Sequence, residues 1–294
     1  MKHWSLDDIA WSQFAPDKVD PNIVALVKAA AMVEHNGLDY AVYLNNVFND
    51  DPDFRQAANY WAQEEVQHGK ALGRWATIAD PSWNFDAAFA RFKAGYTIPL
   101  DALKSVRGSR TGELIARCMV ETGTSSYYTA LSEATDEPVL KQICHHIAAD
   151  EFRHFKLFYD HMRRYLSRER IGMLRRLRIA VGRISESEDD ELAFAFYCSN
   201  ELESVPYHCK RYSQAYMAKA IGFYRFRHVE RGIGMIFKTV GLPPRGKLSD
   251  VSAHWAWRLL ARRHRRYLAS VSERDRSTNS LPSSDPMQLG TAKN

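Results

Sequence analysis

MVEHNGLDYAVYL, at 32–44, returns later in the chain as MVETGTSSYYTAL, at 119–131. The two stretches share Met-Val-Glu, a tyrosine six positions after the glutamate, and the closing leucine. AQEEVQHGKAL at 62–72 is matched in the same way by AADEFRHFKLF at 148–158. Each half of this internal repeat holds a lone glutamate followed at a distance by Glu-x-x-His: Glu34 with Glu65 and His68, then Glu121 with Glu151 and His154. The separation is 31 positions from Glu34 to Glu65 and 30 from Glu121 to Glu151.

Spacing of i and i+3 puts a carboxylate and an imidazole side by side on one helical face, so both can grip one ion. About thirty residues suffice for a helix, a turn and a return, which lets the lone glutamate meet the Glu-His pair. Two such hairpins packed together converge four carboxylates and two imidazoles, the ligand set of dinuclear iron and manganese carboxylate bundles. Buried together, four carboxylates repel one another and are costly to desolvate unless two divalent cations compensate them. Oxygen-rich ligation with two imidazoles suits iron or manganese better than structural zinc. The expected cofactor is two Fe ions, with Mn or a mixed Mn/Fe pair as the alternative. An acid precedes each motif glutamate, and metal-bound histidines commonly donate their second N–H to a carboxylate. Glu64 is therefore expected behind His154 and Asp150 behind His68.

Apolar residues recur at three- and four-residue spacing through most of 20–270, and strand-like alternation is nearly absent, so the chain reads as all-α. Breaks are expected at Asp50-Asp51-Pro52, Asp80-Pro81, Pro99, Pro138, Pro206 and Pro243-Pro244. The predicted helices are 21–48, 53–79, 109–133, 137–166, 169–183, 189–221 and 249–270. Residues 1–20 read as an N-terminal arm, 21–166 as the metal-binding bundle, 167–270 as additional helices, and 271–294 as a disordered tail rich in Ser, Pro and Asp.

The chain has 294 residues, of which 45% are hydrophobic and 26% charged, enough for one substantial core. No run reaches the roughly 18 apolar residues of a membrane span, and the start MKHWSLDDIAW lacks a secretion signal, so a cytoplasmic location without a transmembrane segment is expected. Cys118, Cys144, Cys198 and Cys209 form no C-x-x-C pair, which argues against a disulfide framework, a thiolate zinc site or a rubredoxin-type iron site. The net charge of +5 is uneven: arginines crowd into 163–183 and 258–266. Such clusters favour an acidic partner or form a solvated face. Nothing in the pattern points to nucleic acid.

EEVQHGKAL and DEFRHF are similar to the paired Glu-Glu-x-x-His-Gly and Asp-Glu-x-x-His motifs of soluble acyl carrier protein desaturases. Over about 20–165 the chain resembles the ferritin-like di-iron carboxylate superfamily. That resemblance implies an all-α, ferritin-like four-helix bundle with additional C-terminal helices. It also implies an O2-dependent oxidoreductase that desaturates or hydroxylates a small-molecule or carrier-bound substrate, such as an acyl group. The Glu-to-Glu-x-x-His spacing of the first hairpin is shorter than in those desaturases, which leaves the substrate open.

Other positions have two readings. Thr124 lies three after Glu121, where the other half has Gly37; its hydroxyl either faces a gap beside the metals, as a threonine does in desaturases and bacterial monooxygenases, or bonds its own backbone. Ser125 joins Thr124 in an uneven set of small residues, opposite Ala30, Ala31 and Gly37. Trp61 and Tyr128 either relay electrons, line the pocket, or simply pack. His145 and His146 fall off the ligand face. With no flavin, nicotinamide or iron–sulfur motif visible, electrons are expected from a separate donor, a ferredoxin or similar protein. The additional helices either cover the site or form a homodimer interface. The competing functions are ferroxidase or iron handling on the same ligands, and rubrerythrin-like peroxide reduction, which the missing cysteine cluster disfavours.

Overall fold

The computed structural model describes residues 3–186 and 190–279. Among them every regular element is helical and no strand occurs. The helices are α1 (Pro21–His35), α2 (Gly37–Val47), α3 (Pro52–Ala79), α4 (Phe85–Gly95), α5 (Arg110–Ala134), α6 (Pro138–Glu169), α7 (Met173–Ser185), α8 (Asp190–Asn200), α9 (Cys209–Ala220), α10 (Phe226–Val240) and α11 (Lys247–Asn279). None is long and apolar enough to cross a membrane.

Local chemistry starts the long helices where they start. Asp51 accepts the Phe54 N–H, Ser109 the Gly112 N–H, and Glu137 those of Val139 and Leu140. Pro52 and Pro138 follow two of these caps at the first helical position, where the missing N–H costs nothing.

α3 packs on α1 and α2, α5 on α6, and the two hairpins meet mainly through α3 and α6. Two apolar clusters reveal the register. One gathers Leu26, Met32, Leu72, Trp75, Leu131 and Ile143. The other gathers Leu44, Phe54, Trp61, Leu114, Cys118 and Phe158. Along α1–α2, α3, α5 and α6 alike, Glu34, Glu65 with His68, Glu121, and Glu151 with His154 fall between the two clusters. The candidate ligands thus form a polar band across the middle of a four-helix core. α3 ends beside the first cluster and α5 begins beside the second, so residues 80–109, with α4, carry the chain back along the core.

The predicted boundaries change in several places. The single helix expected over 21–48 breaks at Asn36, which leaves helical geometry at φ −81°, ψ 3°, and restarts at Gly37. That of 189–221 divides into α8 and α9 around a loop containing Pro206, whose ring cannot continue a helix. α4 and α10 were not expected at all. α11 runs on to Asn279, into the segment read as a disordered tail, of which 280–294 lie outside the described residues.

Candidate metal centre

All six ligands proposed from the repeat converge in the buried band. Glu34, Glu65, His68 and Glu151 each offer one atom within 4.8 Å of the others, and so do Glu65, Glu121, Glu151 and His154. Glu65 and Glu151 belong to both groups. The geometry therefore describes two adjoining sites with two shared carboxylates, one completed by Glu34 and His68, the other by Glu121 and His154. His68 Nδ1 lies 3.4 Å from Glu34 and 3.3 Å from Glu151; His154 Nδ1 lies 3.0 Å from Glu65 and 3.8 Å from Glu121. Neighbouring ligands of an octahedral cation bound at about 2.1 Å stand about 3 Å apart, so this packing accepts an ion in each group.

The inward-facing atoms are also unpaired. Glu34 Oε2, Glu65 Oε1, both Glu121 oxygens, Glu151 Oε1, His68 Nδ1 and His154 Nδ1 are buried and take part in no hydrogen bond. Buried polar atoms are normally satisfied, and so many orphans pointing at one another ask for a cation. The donor set, oxygen with two imidazoles, fits iron or manganese.

Behind the ligands, the outward nitrogens are anchored across the pseudo-twofold. His68 Nε2 donates to Asp150 Oδ2 at 3.0 Å and His154 Nε2 to Glu64 Oε2 at 2.7 Å. These bonds fix each ring so that Nδ1 turns inward. Burial works against the charge on Asp150, but hydrogen bonds from His68, Arg153 and Trp4 hold its carboxyl well below the usual range. Glu64 is likewise held low: burial opposes its charge, and His154, Arg153 and His3 outweigh it. The ligands themselves show the strain of crowding. Burial, then neighbouring carboxylates, drives Glu65 and Glu121 upward. Burial disfavours charge on His154, yet the nearby carboxylates of Glu151 and Glu64 raise it to about 10.

The remaining positions divide. Thr124 Oγ1 donates to Glu151 Oε2 at 2.5 Å while staying near the Val120 and Glu121 carbonyls, so it holds a ligand as well as leaning on its own helix. Tyr128 does more than pack: its hydroxyl donates to Glu34 Oε1 at 2.5 Å. Trp61 meets the His154 ring edge-on at 6.4 Å and packs on Phe158, with its indole N–H unpaired. Ser125 is turned to the Thr122 carbonyl of its own helix. Gly37 does not open a gap opposite Thr124. A Cβ there would meet Glu65 Cβ at 2.6 Å, so the missing side chain lets the α1–α2 elbow close onto a ligand-bearing turn of α3. His146 stacks on Trp4 at 5.2 Å and joins neither ligand group.

His3 and Trp4 had no sequence signal. Trp4 Nε1 donates to Asp150 Oδ2 at 2.7 Å, its ring lies parallel to that of His68 at 6.0 Å, and Gln67 donates to its carbonyl. His3 Nε2 lies 3.0 Å from Asp150 and 3.1 Å from Glu64. The N-terminal arm thus covers the carboxylates behind both histidines. Only Arg153, in the motif itself and reaching both acids, was within reach of a reading of 148–158.

No protein-family model matches this chain, and no curated protein matches it.

Proposed function

We propose that the chain is a non-haem di-iron oxidoreductase of ferritin-like topology that uses dioxygen to desaturate or hydroxylate an organic substrate. Two antiparallel hairpins joined by a lengthwise connection, with ligands at mid-height, support that topology. Glu34, Glu65, His68, Glu121, Glu151 and His154 would hold two irons, which supply the redox chemistry for oxygen activation.

The observation that carries an organic reaction, over simple iron handling, is the failure of symmetry around equivalent ligands. Among the described residues, both hydroxyls that bond ligand carboxylates come from α5: Thr124 on Glu151 and Tyr128 on Glu34. The matching positions of the other half are Gly37 and Ala41. One side of the centre is therefore lined by proton-bearing groups and the other by closely packed small residues. Thr124 Oγ1 can hold or pass a proton beside Glu151, and Tyr128 Oη can do so beside Glu34. Trp61 and the two apolar clusters exclude bulk water from the band. Electrons would arrive from a separate donor protein, the substrate being a small molecule or carrier-bound acyl group.

Stopped-flow mixing of the anaerobically iron-loaded protein with dioxygen tests this reading. Consumption that ends at the two bound irons and accelerates or changes course with an acyl thioester supports it. Continued iron oxidation well past two per chain, indifferent to organic substrates, identifies iron handling instead.

A further inference from the structure

The C-terminal helix α11 presents a surface that the metal centre does not use. Its rotation about its own axis is fixed on the inner side. Ala253 is buried, Ser249 Oγ donates to the Pro244 carbonyl, His264 Nε2 reaches the Ala218 carbonyl of α9 at 2.9 Å, and Ser270 Oγ reaches Gln214. The opposite face must then point away from the body. On it lie Leu248, Val251, Trp255 and Leu259, each more than half exposed, at 60%, 54%, 56% and 53%. Spacings of three, four and four residues keep them in one line along about three turns. Arg262 and Arg266 continue that line, with Arg258 and Arg265 beside it. From Val251 to Ser272 the sequence holds five arginines and no aspartate or glutamate.

A contiguous apolar row with an exposed tryptophan is unusual on a free surface and marks an interaction site. We propose that this face of α11 docks the protein on an anionic lipid bilayer, the apolar row entering the headgroup boundary and the arginines meeting lipid phosphates. Charge decides the occupant. A second copy laid parallel would bring the arginine rows together, and one laid antiparallel would set them on the partner's apolar row, in either case with no acid on this stretch to answer them. A negatively charged bilayer answers every one of them, while its interface accepts Trp and Leu from a helix lying in plane. The body of the protein stays in water, in keeping with the absence among the described residues of any helix able to span the bilayer. This docking is independent of the reaction at the metal centre.

Co-sedimentation of the full chain with vesicles tests the proposal. Equimolar phosphatidylcholine and phosphatidylglycerol should carry the protein down, pure phosphatidylcholine should carry far less, and added salt should weaken the first. Arg262→Gln with Arg266→Gln should lower the partition coefficient about 25-fold, about fivefold per arginine. Trp255→Ser with Leu259→Ser should lower it about tenfold. All four side chains are exposed, so folding is spared, and Arg55→Gln with Lys141→Gln on distant helices should change nothing. The proposal is overturned if the wild type stays in solution with anionic vesicles, if both pairs of α11 variants bind as the wild type does, or if the distant pair loses as much. It is also overturned if lipid-free protein is a dimer that Trp255→Ser with Leu259→Ser splits, because the face then joins two copies.

Discussion

Substituting Gly69 by alanine probes how tightly the fold sets the ligands. Gly69 follows His68 on α3, and a Cβ built there would lie 2.5 Å from the His35 backbone nitrogen, 2.6 Å from its Cβ and 2.7 Å from its Cα. His35 is the residue after Glu34, and its backbone cannot swing aside as a side-chain tip can. Restoring an ordinary 3.4 Å contact moves the end of α1 by about 0.9 Å, the difference between 3.4 and 2.5 Å, and takes Glu34 with it. Overpacking of this kind costs about 1–3 kcal/mol. Gly123→Ala supplies the reference: it too is helical, on α5, but nothing lies within 4 Å of the added carbon. Each substitution gains about 1 kcal/mol of helix propensity, so the difference between the two variants isolates the overlap. Urea unfolding should place Gly123→Ala slightly above the wild type and Gly69→Ala about 1–3 kcal/mol below Gly123→Ala. Iron titration should show the Glu34–His68 position weakened in Gly69→Ala only. Equal stability of the two variants, with iron binding intact in both, would refute the close contact and the placement of Glu34 that depends on it.

Other perturbations have equally definite outcomes. Asp51 caps α3 through Phe54 N–H and accepts hydrogen bonds from Tyr165 and Arg164, so Asp51→Ala should lower unfolding stability by about 2–3 kcal/mol. Burial opposes its charge but these bonds leave its carboxyl below the usual range, so its contribution is complete above the unfolded value near 4. The gap between wild type and Asp51→Asn, read from urea midpoints, should therefore narrow as pH falls below about 4; a constant gap contradicts the pairing. His154, raised to about 10, holds a proton at neutral pH that a metal must displace, and the upward shifts of Glu65 and Glu121 act in the same direction. Iron binding at pH 7 should release protons to an indicator dye and weaken as pH falls; binding without release contradicts the shared cluster. Tyr128→Phe removes the hydroxyl that bonds Glu34 Oε1 and should cost about 1–3 kcal/mol of stability, a loss absent if that tyrosine merely packs.

How much of this is legible in the sequence depends on the kind of signal each residue leaves. Glu-x-x-His is a spacing fixed by helix geometry, and its repetition with a lone glutamate marks Glu34, Glu65, His68, Glu121, Glu151 and His154, the residues that the structure brings together. Glu64 and Asp150 followed because each sits one position from a ligand on a helix whose partner crosses it. The break at Asn36-Gly37 carried a turn signal that apolar periodicity on either side outweighed. α10 passed unseen although its sequence is amphipathic, because Gly232 and Gly234 interrupt it; Gly232 lies where α10 approaches Thr122 and Ser126 of α5. His3 and Trp4 left no trace, since an arm that reaches a carboxylate 146 positions away imposes no period on the chain. The sequence pattern alone makes Gly37 a gap, whereas the structure fills that space with Glu65, a contact between helices that no single-helix pattern records.

On the proposed function, six side chains hold two cations. Its most direct test is anaerobic titration of the purified chain with ferrous iron, with bound metal counted after removal of excess. Two irons per chain are predicted, with neither held tightly once the shared ligands are removed by Glu65→Ala and Glu151→Ala in a protein that keeps its helical content. A folded wild-type chain that retains no iron, or whose retained iron is indifferent to those substitutions, would contradict it.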